Sequence, residues 1–194
     1  MTDRRVSAIV LAGGRSSRFG RDKLAEPIGG RPLLDHAVDA VRPFATEILV
    51  VAAPDASPAV AEDVRVVHDP ASFGGPLLGL ATGLDHAREA IVLLTAGDVA
   101  ELVPEVVEML LAALDEPGRE LAVLADHDRP ASFPMAMRRD AAREAAARVI
   151  ASGDRRLFSL VDGLVGTVIE EPTWRAVDPT GRSMRDIDTP ADLP

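Results

Sequence analysis

The chain contains no cysteine. Disulfides, thiolate metal sites and cysteine nucleophiles are therefore excluded, and any metal must be held by oxygen or histidine. Long apolar runs are also missing. None approaches the roughly 20 residues of a membrane span, and the apolar part of the opening MTDRRVSAIV is too short for a signal peptide. A cytoplasmic location without a membrane partner is expected. Basic surface is scarce, with a net charge of −10 and a pI near 4.8. That balance excludes the extended basic face of a nucleic-acid binder, so an anionic substrate needs a local basic pocket. Lysine is the scarcest cation: Lys23 is the single lysine among 21 basic residues. Arginine offers a planar fork and lysine a compact, mobile charge, so a site that follows a phosphate through a reaction favours lysine. No linker, internal repeat or low-complexity stretch interrupts the 194 residues, and one domain spanning residues 1–194 is expected.

Lys23 closes the most informative stretch, AIVLAGGRSSRFGRDK from Ala8 to Lys23. An apolar, β-branched run to Ala12 reads as a buried strand and breaks at Gly13-Gly14. Arg15, Arg18, Arg21, Lys23 and Arg31 face only Asp22 and Glu26, so this window is net +3 in an acidic chain. A strand entering a glycine loop turns several backbone N–H groups toward one point, and cations at the rim suit a polyphosphate.

Strands and helices alternate along the rest of the chain. Helices are predicted at Pro32–Val41, from Pro76 to about Ala87, Val103–Leu114, Arg139–Ala151 and Arg155–Val161. Strands are predicted at Glu47–Ala52, Val64–His68, Ala90–Thr95, Glu120–Ala125, Ala131–Met137, Leu164–Glu170 and Trp174–Val177. The pattern implies α/β architecture: a Rossmann-like, three-layer domain with a mostly parallel mixed sheet and helices on both faces. Ligands of such sheets bind beyond the carboxyl ends of the strands. Gly13-Gly14, Asp69 and Asp98 each follow a predicted strand, and they are expected to converge on one crevice. Asp69 is also a turn former before Pro70, and Asp98 and Asp188 are also suited to capping. His68 reads as structural, and Asp126-His127-Asp128-Arg129-Pro130 as an exposed turn or an acceptor-binding loop.

The segments LAGGRSSRFGRDK, GGRPLL, HDP with GGPLLGLATGL, TAGD and DIDTPADL resemble the molybdenum cofactor guanylyltransferase branch of the nucleotidyltransferases over nearly the whole chain. The resemblance implies a fold of the nucleotide-diphospho-sugar transferase type. It also implies magnesium-dependent transfer of GMP from GTP to molybdenum-molybdopterin with release of pyrophosphate. By this resemblance Leu11, Ala12 and Gly13 contact base and ribose, and Gly14 to Arg18 wraps the triphosphate. Lys23 neutralises charge there, Asp69 contacts the nucleotide, Asp98 binds the metal and Asp188 adds a second metal contact. Molybdoenzymes or cofactor-biosynthesis proteins are implied as partners. Two alternatives stay open: a cytidylyl or other transferase with a different small phosphate acceptor, and a catalytically inactive nucleotide-binding module.

Overall fold

A computed structural model describes residues 4–13, 23–70, 74–127 and 129–187. Its centre is β1 (Val6–Ala12), six of whose seven residues are buried. The pleat sends Val6, Ala8 and Val10 to one apolar layer and Ile9 and Leu11 to the other. A strand covered on both faces needs such a continuous apolar run. Parallel to β1 on one side lie β4 (Glu47–Ala52) and β5 (Val64–His68), and on the other β6 (Ile91–Ala96). The sheet has seven strands in the order β5-β4-β1-β6-β8-β7-β9. Only β8 (Arg129–Arg138) runs against the others, between β6 and β7 (Leu121–Asp126), with β9 (Gly166–Ile169) parallel to β7 at the edge. The mostly parallel mixed sheet expected from the alternation is present.

On one face of the sheet, α1 (Leu33–Val41) and α3 (Pro104–Ala113) supply Leu34, Val38, Val106 and Leu110 to the first layer. On the other, α2 (Pro76–His86), α4 (Arg139–Ala151) and α5 (Phe158–Val161) supply Leu77, Leu80, Ala142, Ala146 and Leu160. A two-stranded ribbon, β2 (Pro27–Ile28) and β3 (Arg31–Pro32), turns at Gly29 and Gly30 and leads into α1.

Helix α2 owes its position to missing side chains. Gly75, at φ +86°, enters the helix in a conformation open to glycine, and Pro76 follows in the first turn. A Cβ on Gly83 would lie 2.8 Å from Ile9 Cδ1 and Cγ2, and one on Gly79 3.3 Å from Leu11 Cδ2. The helix therefore sits directly on β1, and its N-terminal end is brought to the carboxyl edge of the sheet.

One predicted element is corrected. Trp174 to Val177 does not form a strand: residues Glu171–Arg175 form a short helix, α6. Pro172 suits its first turn, and Arg175 Nε reaches back one turn to Glu171 Oε1 at 2.5 Å. Trp174 is fully buried, and its indole N–H donates to Ala125 O at 2.8 Å. A buried aromatic supplies the apolarity of a strand, but here it anchors a single helical turn. The predicted helix at Arg155–Val161 is also shorter, beginning at Phe158, because the Asp154 carboxylate accepts the amides of Arg155 and Arg156.

Candidate active site

The departure of β8 from β6 opens the crevice. Their pairing begins at Ile91 with Arg138 and ends at Leu94 with Met135, whereas the earlier part of β8 pairs with β7 as far as Asp126 with Arg129. Beyond Leu94 a cavity of about 1050 Å³ lies along the carboxyl edge. Leu11, Gly13, Val51, Ala53 and Asp69 form one end of it, Ala96 and Asp98 the middle, and Asp126 to Phe133 with Met184 and Asp186 the other end. Gly13, Asp69 and Asp98 thus share one cavity although they follow three different strands. Ala12 does not line it and instead pairs with Ala52 inside the sheet.

Asp98 is held from both sides. Gly97, just after β6, donates its N–H to Leu11 O at 2.9 Å, and a Cβ there would stand 3.2 Å from that same oxygen. A side chain there would have to push the Leu11 carbonyl back by a few tenths of an ångström. The next carboxylate, Asp98, lines the cavity, and its Oδ2 is met by Lys23 Nζ at 2.6 Å. Both side chains are about one-fifth exposed or less, at 17% and 21%, so the pair is poorly screened yet open to ligand. The single lysine of the chain is in direct contact with a carboxylate 75 positions away.

Asp69, following β5, stands at the end of the cavity shared with Leu11 and Gly13. Its amide donates to Ala52 O at 2.9 Å, and Thr82 of α2 donates its hydroxyl to Asp69 Oδ1 at 2.7 Å. Burial raises the Asp69 pKa above the ordinary carboxylate value, and the Thr82 hydroxyl opposes that rise by stabilising the anion. A carboxylate held half-buried with one oxygen committed leaves the other to accept from a ligand.

Asp186 is a cavity residue that the sequence reading did not single out. Val99 and Asp186 form an isolated antiparallel bridge, and Ile187 donates its N–H to Asp98 O at 3.1 Å. The second acidic residue is thereby placed beside the first. The preceding turn is locked by Asp178, whose buried carboxylate accepts from Ser183 N at 2.8 Å and Arg182 N at 3.0 Å. Ser183 Oγ in turn accepts from Val103 N at 2.9 Å, tying the segment to the start of α3. Burial works to raise the Asp178 pKa, but these donors outweigh it and hold the group below its ordinary value. The available signal for Asp186 was its place as an acid next to the apolar Ile187 in the closing segment.

Arg18, Gly14 and Asp188 lie outside the described residues. His68 is exposed and within 2.9 Å of Ala56 O, away from the cavity, whereas His127 lines it at φ +46°. No group of three or more acidic or histidine side chains with metal-holding geometry occurs among the described residues. Asp98 and Asp186 offer oxygen donors only, which suits a hard divalent cation that keeps much of its water shell.

The model of the MobA-like NTP transferase domain matches residues 8–167, from β1 through β9. The chain belongs to that family. It is an α/β nucleotidyltransferase of the MobA-like type, and such enzymes generally use a divalent metal. A protein of Chloroflexus aggregans named "Probable molybdenum cofactor guanylyltransferase" is 34% identical over 97% of this chain and 91% of its own length. A molybdenum cofactor guanylyltransferase of Shewanella putrefaciens is 26% identical over 86% of this chain and 88% of its own. Among solved structures, molybdopterin-guanine dinucleotide biosynthesis protein A of Archaeoglobus fulgidus superposes with a TM-score of 0.78 at 22% identity, covering 96% of this chain and 94% of that one. The 2-C-methyl-D-erythritol 4-phosphate cytidylyltransferase of Thermus thermophilus gives 0.69 at 19%, covering 95% and 94%. At those identities the MobA-like chain shares with both a fold, which guanylyl and cytidylyl transfer have in common.

Proposed function

We propose that this MobA-like protein transfers GMP from GTP to molybdenum-bound molybdopterin, releasing pyrophosphate, with magnesium as the metal. The observation that carries the reading is the Lys23–Asp98 contact at 2.6 Å in a cavity that also holds the end of β1 and Asp69. It puts one mobile cation and one hard carboxylate together at the point where a triphosphate would cross the sheet edge. The relatives named as molybdenum cofactor guanylyltransferases support the choice of GTP and of molybdopterin.

In this reading the acceptor's terminal phosphate oxygen forms a bond to the α-phosphorus while the bond to the β-phosphate bridging oxygen breaks in line, and the electron pair leaves with pyrophosphate. The attacking phosphate is already anionic, so no general base is required. The backbone of Leu11 and Gly13, with Gly14 following, holds the nucleoside and the start of the triphosphate, and Asp69 contacts the nucleotide at the far end. Lys23 and Arg18 offset charge on the phosphates, stabilisation that acts where the charge develops. Asp98 would hold magnesium, with Asp186 beside it in the described cavity and Asp188 as a further carboxylate in the same segment. When bound, the metal screens the phosphate oxygens and orients them.

The experiment is a comparison of GTP, CTP, ATP and UTP, each with magnesium and molybdopterin, followed by pyrophosphate release. Release that depends on molybdopterin and is fastest with GTP supports the reading. Preference for CTP overturns it.

A further inference from the structure

The cavity continues past Asp98 to a wall that the nucleotide site does not use. This wall is the start of β8, with Arg129, Ser132 and Phe133 facing the same space as Asp98. Arg129 is exposed, and among the described residues its side chain makes neither an ion pair nor a hydrogen bond. Elsewhere in this acidic chain, Arg31, Arg42, Arg139 and Arg156 are each paired with a carboxylate. A cation left unpaired at the rim of a substrate cavity is placed to meet an anion from outside the chain.

The wall is braced for such a task. Asp126 of β7 lies opposite Arg129 in register. The Trp174 indole holds Ala125 O at 2.8 Å, and Glu171 Oε2 accepts the His127 N–H at 3.3 Å. Arg175 stacks over the Trp174 ring at 4.5 Å, fixing the helix that supplies both anchors. Among the described residues the acid nearest in sequence, Asp126, is engaged by His127 Nδ1 at 2.8 Å. The strand ends beside Arg129 are therefore braced by α6, so less main chain has to be ordered on binding.

Strand order then separates the substrates. If the nucleoside lies over β1, β4 and β5, and the pyrophosphate over the glycine loop after β1, the sector left at the α-phosphate is the one facing β8 and β7. We propose that Arg129 binds the anionic phosphate group of the acceptor, making the β7–β8 wall the acceptor subsite. This rests on the nucleotidyl-transfer reading above. The guanidinium presents two N–H groups to a phosphomonoester, and the Ser132 hydroxyl supplies a further donor from the same wall.

The test uses the full chain with Arg129→Ala and Arg129→Lys. Two affinities are measured: magnesium with a non-hydrolysable GTP analogue alone, and molybdopterin with the nucleotide complex. Arg129→Ala is expected to weaken molybdopterin binding roughly 10- to 100-fold, the loss of one charge-assisted bidentate contact, while nucleotide affinity stays within about twofold. Arg129→Lys is expected to fall between the two, and thermal melting to be unchanged. An unchanged molybdopterin affinity in Arg129→Ala overturns the subsite and leaves the nucleotidyl-transfer reading intact. An equal loss of nucleotide affinity overturns it as well, by assigning Arg129 to the nucleotide. Wild-type protein that binds nucleotide and no molybdopterin overturns the acceptor itself, and the subsite with it.

Discussion

Lys23 Nζ and Asp98 Oδ2 stand 2.6 Å apart, each largely withdrawn from water. Lys23→Gln and Asp98→Asn each remove one charge and break this contact. Each is expected to lower turnover by about 100-fold or more, the scale of losing one charge-stabilising group. The stability cost is expected to be only about 1–2 kcal/mol, between the surface and buried limits for ion pairs. Steady-state kinetics with a denaturant melt separates the two effects. Kinetics matching the wild type would remove the pair from the site.

Asp69 should trade stability for function. Its folded pKa lies above the unfolded value because burial disfavours the anion, so the native state binds the proton more readily. Its contribution to stability is present below the unfolded pKa and lost as pH rises through the folded one. Asp69→Asn is therefore expected to raise the melting temperature at pH 7 and to lose that advantage near pH 3. It should also weaken nucleotide binding. Thr82→Val should push the carboxyl higher still, since the hydroxyl now favours the anion.

Asp178 has the opposite sign. Its pKa is held low, so its stabilisation is present above the unfolded carboxylate value and lost as pH falls through the folded one. Asp178→Ala leaves the Ser183 and Arg182 amides without their acceptor and is expected to cost about 2–4 kcal/mol at pH 7. Turnover should fall too, because the segment carrying Asp186 is tied down through this turn. Denaturant titration at pH 7 and pH 3 reads the effect, and the difference from wild type should shrink at the lower pH.

Two glycines should give contrasting phenotypes. Gly83→Ala forces a methyl against Ile9 and is expected to cost about 1–3 kcal/mol with kinetic constants little changed. Gly97→Ala presses a methyl on the Leu11 carbonyl, which cannot swing aside, so Asp98 must move. Its turnover is expected to fall more than its stability, as paired melts and kinetics would show.

Periodicity carried most of the fold. The apolar runs of β1, β4 and β6, and the five buried positions of α1, are local signals, and each lies where the sequence places it. Two features are not local. The reversed direction of β8 depends on its partners β6 and β7, and the helix around Trp174 depends on a hydrogen bond to Ala125, 49 positions away. The site divides in the same way. Gly13, Asp69 and Asp98 were legible because a polar residue at the end of an apolar strand announces itself. The nearness of Lys23 to Asp98, and the bridge of Asp186 to Val99, arise only when the chain closes on itself.

The most direct test of guanylyl transfer is a single-turnover reaction with α-labelled GTP, magnesium and molybdopterin, with the label traced by mass. Recovery of the α-phosphate in a molybdopterin-guanine dinucleotide, with one unlabelled pyrophosphate per product, is the predicted result. Label recovered only as GMP or as unreacted GTP, with no dinucleotide formed, would contradict it.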